Sequence, residues 1–121
     1  PHRSVPETLQ ELDVCLLYLS LAFPYTLIDQ SRSSTKLFEY MAHGRAIVSS
    51  DVGEPSYLLS HEKTALLVPN SADAFAAAIC RLRRDSDLLR KVQAEARNEF
   101  VAKYSQEKLM NRFVDWATQL A

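Results

Sequence analysis

Glycine is scarce in this chain: Gly44 and Gly53 are the only two in 121 residues. Two are too few to build a glycine-rich loop that cradles phosphates with bare backbone. Cysteine is equally scarce. Cys15 and Cys80 form no Cys-x-x-Cys pair, and His2, His43 and His61 are scattered, which argues against a zinc site or any other metal centre. Cys15 lies in an apolar, strand-like run and Cys80 in a helical one. Both read as buried, reduced thiols of a reducing compartment, with a disulfide between them left open. The apolar run Val14 to Leu19 is far too short to span a bilayer, which takes about 20 residues. Pro1-His2-Arg3-Ser4 opens the chain without a signal-peptide core, as an internal start would. Neither sign of charge dominates: 14 basic residues face 15 acidic ones, for a formal net charge of -1. Wholesale nucleic-acid binding leans on clustered cations, so no nucleic-acid partner is expected. The expected location is the cytoplasm.

What is present is ordinary for a globular protein. Hydrophobic residues make up 47% and charged ones 24%, which excludes a disordered tail, and the length fits one domain at most. Ser4 and Pro6 suit a short helix start, with Leu9 and Leu12 on its apolar side and Asp13 at its end. Val14 to Leu19 is continuously apolar, as in a strand covered on both faces. Leu21 to Ser34 has no clear period and reads as a long, functional or mobile loop. Thr35 to His43 reads as a helix, with Ser33 or Ser34 as N-cap and Gly44 just past its end. Ala46 to Ser49 is a second strand, Ser56 to Leu59 a helical turn, and Thr64 to Val68 a third strand. Three helices follow. Ser71 caps Ala72 to Arg84, with Phe75, Ile79 and Leu82 on one face. Ser86 caps the stretch to about Lys103, with Leu89, Val92, Ala96 and Phe100 inward. Ser105 caps the last, where Leu109, Phe113, Trp116 and Leu120 recur at helical spacing and read as core. The order describes parallel β-α-β units. The expected class is α/β: half of a Rossmann-like parallel sheet of about three strands, flanked by helices, with extra C-terminal helices.

In a doubly wound sheet, ligands sit outside the carboxyl ends of the strands, near helix N-termini. The stretch Ser31-Arg32-Ser33-Ser34 falls there. Free N–H groups at a helix start suit a phosphate, and hydroxyls and Arg32 add donors. At 100° per residue, Leu37, Phe38, Met41 and Ala42 share the side expected on the sheet. Thr35, Lys36, Glu39, Tyr40 and His43 share the other. Glu39, one turn in, is placed to accept hydrogen bonds from vicinal sugar hydroxyls. A merely solvated polar face and a simple serine cap are the plain alternatives.

The run from Ser34 to Gly53, Ser-Thr-Lys-Leu-Phe-Glu-Tyr-Met-Ala-His-Gly-Arg-Ala-Ile-Val-Ser-Ser-Asp-Val-Gly, resembles the donor-binding segment of family 4 (group 1) glycosyltransferases. Leu12-Asp13-Val14 and Thr64 to Pro69 resemble strands of the same family in compatible order. The resemblance implies a GT-B architecture, in which two Rossmann-like domains face each other across a cleft and the C-terminal one holds a nucleotide diphosphate sugar donor. Residues 1–121 would then be a partial C-terminal nucleotide-sugar-binding domain. Glu39 matches the family glutamate that binds the ribose hydroxyls. Ser31 falls where the family has a second glutamate that contacts the donor sugar, so that carboxylate is lacking. Ser34 falls on the family's glycine at the turn into the helix, and Ser34, Thr35 and Lys36 lie with the donor phosphates. The family's diphosphate-neutralising Arg and Lys, and its acceptor domain, match nothing in this sequence. The 121 residues alone are therefore expected to be inactive. The implied activity of the longer protein is transfer of a sugar to a hydroxyl of a sugar or lipid-linked acceptor held by a missing N-terminal domain, with no metal and no cofactor. Protein cations rather than a metal would stabilise the leaving diphosphate. The alternatives are a nucleotide-sugar epimerase fragment of the same architecture and a non-catalytic nucleotide-binding or interaction module.

Other features carry less. Asp51 and Glu54 flank Gly53 and read as local caps. Arg81-Leu82-Arg83-Arg84 suits a helix C-terminus, with peripheral contact at the inner face of a membrane as the alternative use. An apolar first strand cut off from an upstream neighbour would leave an edge open to self-association.

Overall fold

A computed structural model describes residues 5–19 and 35–120. A short helix α1 (Val5–Gln10) leads into strand β1 (Val14–Leu17). Helix α2 (Thr35–Ala42), strand β2 (Ala46–Ser50), helix α3 (Gly53–Leu58) and strand β3 (Leu66–Val68) follow. Helices α4 (Ala72–Arg84) and α5 (Ser86–Glu99), a π-helical segment Phe100–Tyr104 and helix α6 (Gln106–Gln119) complete the order. The strands form one parallel sheet in the order β1-β2-β3, with Cys15 opposite Ile47 and Ser49 opposite Leu67.

β2 lies between the other two strands, and all five of its residues are buried. Its side chains alternate between two cores, as strand geometry requires. Ile47 joins Leu17, Leu37, Met41, Leu59, Ala65 and Ala96 on one face. Ala46 and Val48 join Leu66, Phe75, Ala78, Leu82 and Val92 on the other. The sheet is thus sandwiched by α2 and α3 on one side and α4 on the other, with α5 reaching both cores through Ala96 and Val92. Leu37 and Met41, four residues apart and fully buried, fix the roll of α2 on the sheet. Each contributes about 1.5–3 kcal/mol of apolar burial.

α2 ends in a Schellman motif. The Arg45 N–H donates to Tyr40 O and the Gly44 N–H to Met41 O, both at 3.0 Å, and Gly44 has φ +61°, a left-handed conformation that glycine adopts without penalty. Arg45 then donates through Nη1 to Leu12 O at 2.7 Å, Arg97 to Ala42 O at 2.5 Å, and Gln93 to Asp13 O at 3.2 Å. These bonds tie the amino-terminal edge of the sheet to the end of α2.

Several expectations need correction. β1 stops at Leu17 and is not covered on both faces: Cys15 and Leu17 are buried, whereas Leu16 is 47% and Tyr18 59% exposed. Leu16, Tyr18, Ala72, Phe75, Ala76 and Ile79 line an open cavity of about 480 Å³ there. α4 turns Phe75, Ala78 and Leu82 inward rather than Phe75, Ile79 and Leu82. Cys80, two positions from Ala78 and from Leu82, points some 200° away from them and is exposed, not buried; both cysteines are free thiols. The N-cap of α5 is Asp85, whose Oδ1 accepts the Leu88 N–H at 3.0 Å, and not Ser86. α6 buries none of its residues, so the Leu109, Phe113, Trp116 and Leu120 stripe is surface rather than core. Gly53 to Leu58 forms a full helix with Val52 at its N-cap position and no side-chain cap. Ser4, and the Ser33 or Ser34 cap, lie outside the described residues.

Candidate functional site

Parallel β-α-β geometry sets the location. The chain leaves β1 at the carboxyl edge of the sheet and returns along α2, so the start of α2 stands at that edge. A helix start carries up to four N–H groups with no partner inside the helix. Thr35 and Lys36 are exposed there, and Glu39, on the second turn, is half-buried. Among the described residues, none of these three side chains makes a hydrogen bond or ion pair. Ser31 and Ser34, and Arg32 with them, lie outside the described residues.

The polar side of α2 is less simple than its period suggests. Tyr40 packs against the core with Leu37 and Met41 instead of facing solvent. Burial raises its phenol pKa, helped by the nearby Cys15 and then Glu39 charges. Burial likewise raises the Cys15 thiol, against the opposing pull of Arg45. Neither group is set up as a nucleophile. His43 is occupied: its ring Nδ1–H donates to Glu39 O at 2.8 Å in the tautomer this contact selects, alongside its own backbone N–H at 3.1 Å. It caps the helix end. Phe38 meets the Tyr104 ring edge-on, 5.4 Å between centroids, and lines an apolar cavity of about 510 Å³ with Phe100, Leu109, Met110 and Phe113. Phe38 therefore faces α6 and the π-helical segment and not the sheet.

Two residues that sequence reasoning passed over stand at the same carboxyl edge. Ser50, the last residue of β2, is fully buried. Its hydroxyl accepts the Leu19 N–H at 3.1 Å and donates to Asn70 Oδ1 at 2.5 Å. The Asp51 N–H donates to Val68 O at 3.1 Å. One hydroxyl thus joins the ends of all three strands. The available signal was a pair of serines, Ser49-Ser50, closing an otherwise apolar strand. His61 lies elsewhere, its Nδ1 accepting the Leu67 N–H at 3.0 Å. Among the described residues, no group of His, Cys, Asp and Glu could hold a metal ion, and no helix is long and apolar enough to cross a membrane.

An open parallel sheet sandwiched by helices, with a polar helix start at its carboxyl edge, defines a Rossmann-like α/β protein. The chain belongs to the family described as glycosyl transferases group 1, whose profile matches residues 2–85. Among solved structures it is similar to the sucrose-phosphate synthase of Thermosynechococcus elongatus, at 27% identity and a TM-score of 0.72, over 89% of this chain and 25% of that one. It also shares its fold with the C-terminal domain of a glycosyl transferase group 1 family protein (LpcC) from Francisella tularensis, at 19% identity and a TM-score of 0.67, over 84% of this chain and 48% of that one. The chain thus spans about a quarter and about half of these two structures. The curated proteins yield no match.

Proposed function

We propose that these residues form the donor-binding portion of a glycosyltransferase that moves a sugar from a nucleotide diphosphate sugar to a hydroxyl of a sugar or lipid-linked acceptor. The observation that carries this reading is the placement of Glu39 in a member of the family: half-buried on α2, below an exposed helix start, its carboxylate unengaged by any described residue. Two carboxylate oxygens there match the two vicinal hydroxyls of a ribose. Thr35, Lys36 and the amides of the helix start supply the hydrogen bonds and positive potential that a diphosphate requires. In this reading residues 1–121 are part of a C-terminal nucleotide-sugar-binding domain. The diphosphate-neutralising cations and the acceptor site are supplied by other parts of the protein. Ser31 and Ser34 take the sugar-side and phosphate-side positions.

The test is donor affinity in the full-length protein. A hydrogen bond to a charged acceptor is worth about 1.5–3 kcal/mol, so Glu39→Gln should weaken nucleoside diphosphate binding by roughly tenfold to a hundredfold while leaving thermal stability nearly unchanged. Equal affinity in the mutant and the parent would remove the ribose role.

A further inference from the structure

We propose that Ser50 is a positioning residue for the donor site, its buried hydroxyl fixing the point at which the chain leaves β1 for α2. The inference rests on the donor reading above. Backbone pairing between β1 and β2 ends with Leu17 opposite Ser49. Two residues later the Leu19 N–H still points into the sheet, where Ser50 Oγ takes the place of a carbonyl and accepts it at 3.1 Å. Leu19 is 3% exposed and Ser50 fully buried, so water cannot substitute for this bond. The hydroxyl proton is committed to Asn70 Oδ1, which orients the oxygen's lone pairs toward Leu19. Asn70 in turn follows β3 directly after Pro69, and β3 is held to the end of β2 by the bond from the Asp51 N–H to Val68 O. The position of the β1 exit is therefore set by the two neighbouring strands rather than by β1 itself, an edge strand among the described residues. A buried donor that loses its acceptor must move to find another. The freed amide would draw the β1 exit away from the carboxyl edge, and because Leu17 packs in one core with Leu37 and Met41, the shift would reach the start of α2 with Thr35 and Lys36.

The experiment is isothermal titration of the full-length protein with UDP, GDP and ADP as probes. It compares the parent with Ser50→Ala, Ser50→Thr and the equally buried control Ser49→Ala, whose hydroxyl donates only to Ser50 O. Ser50→Ala should weaken the best-bound diphosphate by about threefold to tenfold, the range a lost net hydrogen bond supplies. Ser50→Thr, which keeps the oxygen, should return the affinity, and Ser49→Ala should leave it unchanged. Amide exchange at Leu19 should accelerate in Ser50→Ala and not in Ser49→Ala. If Ser50→Ala does not fold, Asn70→Ala, at a half-buried position, should weaken binding in the same direction. Unchanged affinity in Ser50→Ala, or in Asn70→Ala where it replaces it, overturns the positioning role while leaving the donor reading intact. Equal weakening by Ser50→Thr also overturns it, by assigning the effect to packing. Failure of the parent itself to bind any of the three diphosphates overturns the donor reading, and the inference with it.

Discussion

Four of the eight residues of α2 are held by packing: Leu37 and Met41 within the core, Tyr40 against it, and Phe38 against Tyr104. The remaining four are Ala42 and the polar Thr35, Lys36 and Glu39, the three proposed to meet a ligand. At this scale the sequence was informative where chemistry follows from type and spacing. Glu39 and Lys36 fall on the polar side because period and charge agree. Tyr40 and Phe38 depart from that division because an aromatic ring reaches whichever neighbour is within a few ångströms: Tyr40 packs against the core around Leu37 and Met41, and Phe38 meets Tyr104, far along the chain. Ser50 was illegible for the same reason: its partners, Leu19 and Asn70, are brought to it only by the sheet.

Ser31, if it replaces a sugar-contacting carboxylate, should tolerate Ser31→Ala with little change in turnover by the full-length enzyme; a severe loss would show that the hydroxyl itself contacts substrate. Gly44 makes a stability prediction. A Cβ there meets only Arg97 Cβ at 3.6 Å and Gln93 O at 3.7 Å, ordinary contact distances, so Gly44→Ala is penalised by its φ of +61° and not by crowding. About 1–2 kcal/mol of destabilisation is expected in urea unfolding. Glu62 and Arg81 meet at 2.6 Å, and the Arg81 guanidinium holds the Glu62 carboxyl below its usual range, first by hydrogen bond and then by charge. A depressed carboxyl stabilises the fold above its unfolded pKa of about 4.3 and loses that contribution as pH falls through the lower folded value. Both side chains are nearly half exposed, so the effect is small. The stability gap between the parent and Glu62→Gln should close on acidification below that range, and a gap that persists unchanged would contradict the pairing.

Helices and strands were legible in outline because hydrophobic period and caps are local. All three strands, and the helices after β3, lie near where pattern and punctuation put them. Their partners are not local. α4 was expected to bury Ile79, since a period of 3.6 allows either Ala78 or Ile79 beside Leu82. The larger residue faces the open side of β1, and alanine fits the close approach to the sheet. For α5 the cap was expected at Ser86, and Asp85, one residue earlier, holds the bond. Asp85→Ala should therefore cost about 1 kcal/mol and Ser86→Ala close to nothing, as measured by denaturant unfolding. The reverse order would restore the serine cap. α6 has the apolar spacing of a buried helix, but Trp116 remains 57% exposed and Phe113 and Leu120 more so. Periodicity reports that a face is suited to burial and is silent on what buries it.

For the whole molecule, the parallel sheet, its right order of elements and its flanking helices followed from alternating strand-like and helix-like segments. The coverage of β1 did not, because a strand's second face depends on neighbours outside the segment. With Leu16 and Tyr18 exposed beside an edge that no described residue pairs, the isolated 121-residue chain should self-associate or dissolve poorly through that edge. Light scattering tests it. A monodisperse, stable monomer at high concentration would show that the edge needs no partner.

The donor-site reading is tested most directly by mapping a bound nucleoside diphosphate on the full-length protein by backbone amide shifts. A footprint is expected on Thr35, Lys36 and Glu39, centred on the start of α2, and shifted to higher ligand concentration in Glu39→Gln. Saturable binding with no response in α2, or no binding of any nucleoside diphosphate, would contradict a donor site at the carboxyl edge of this sheet.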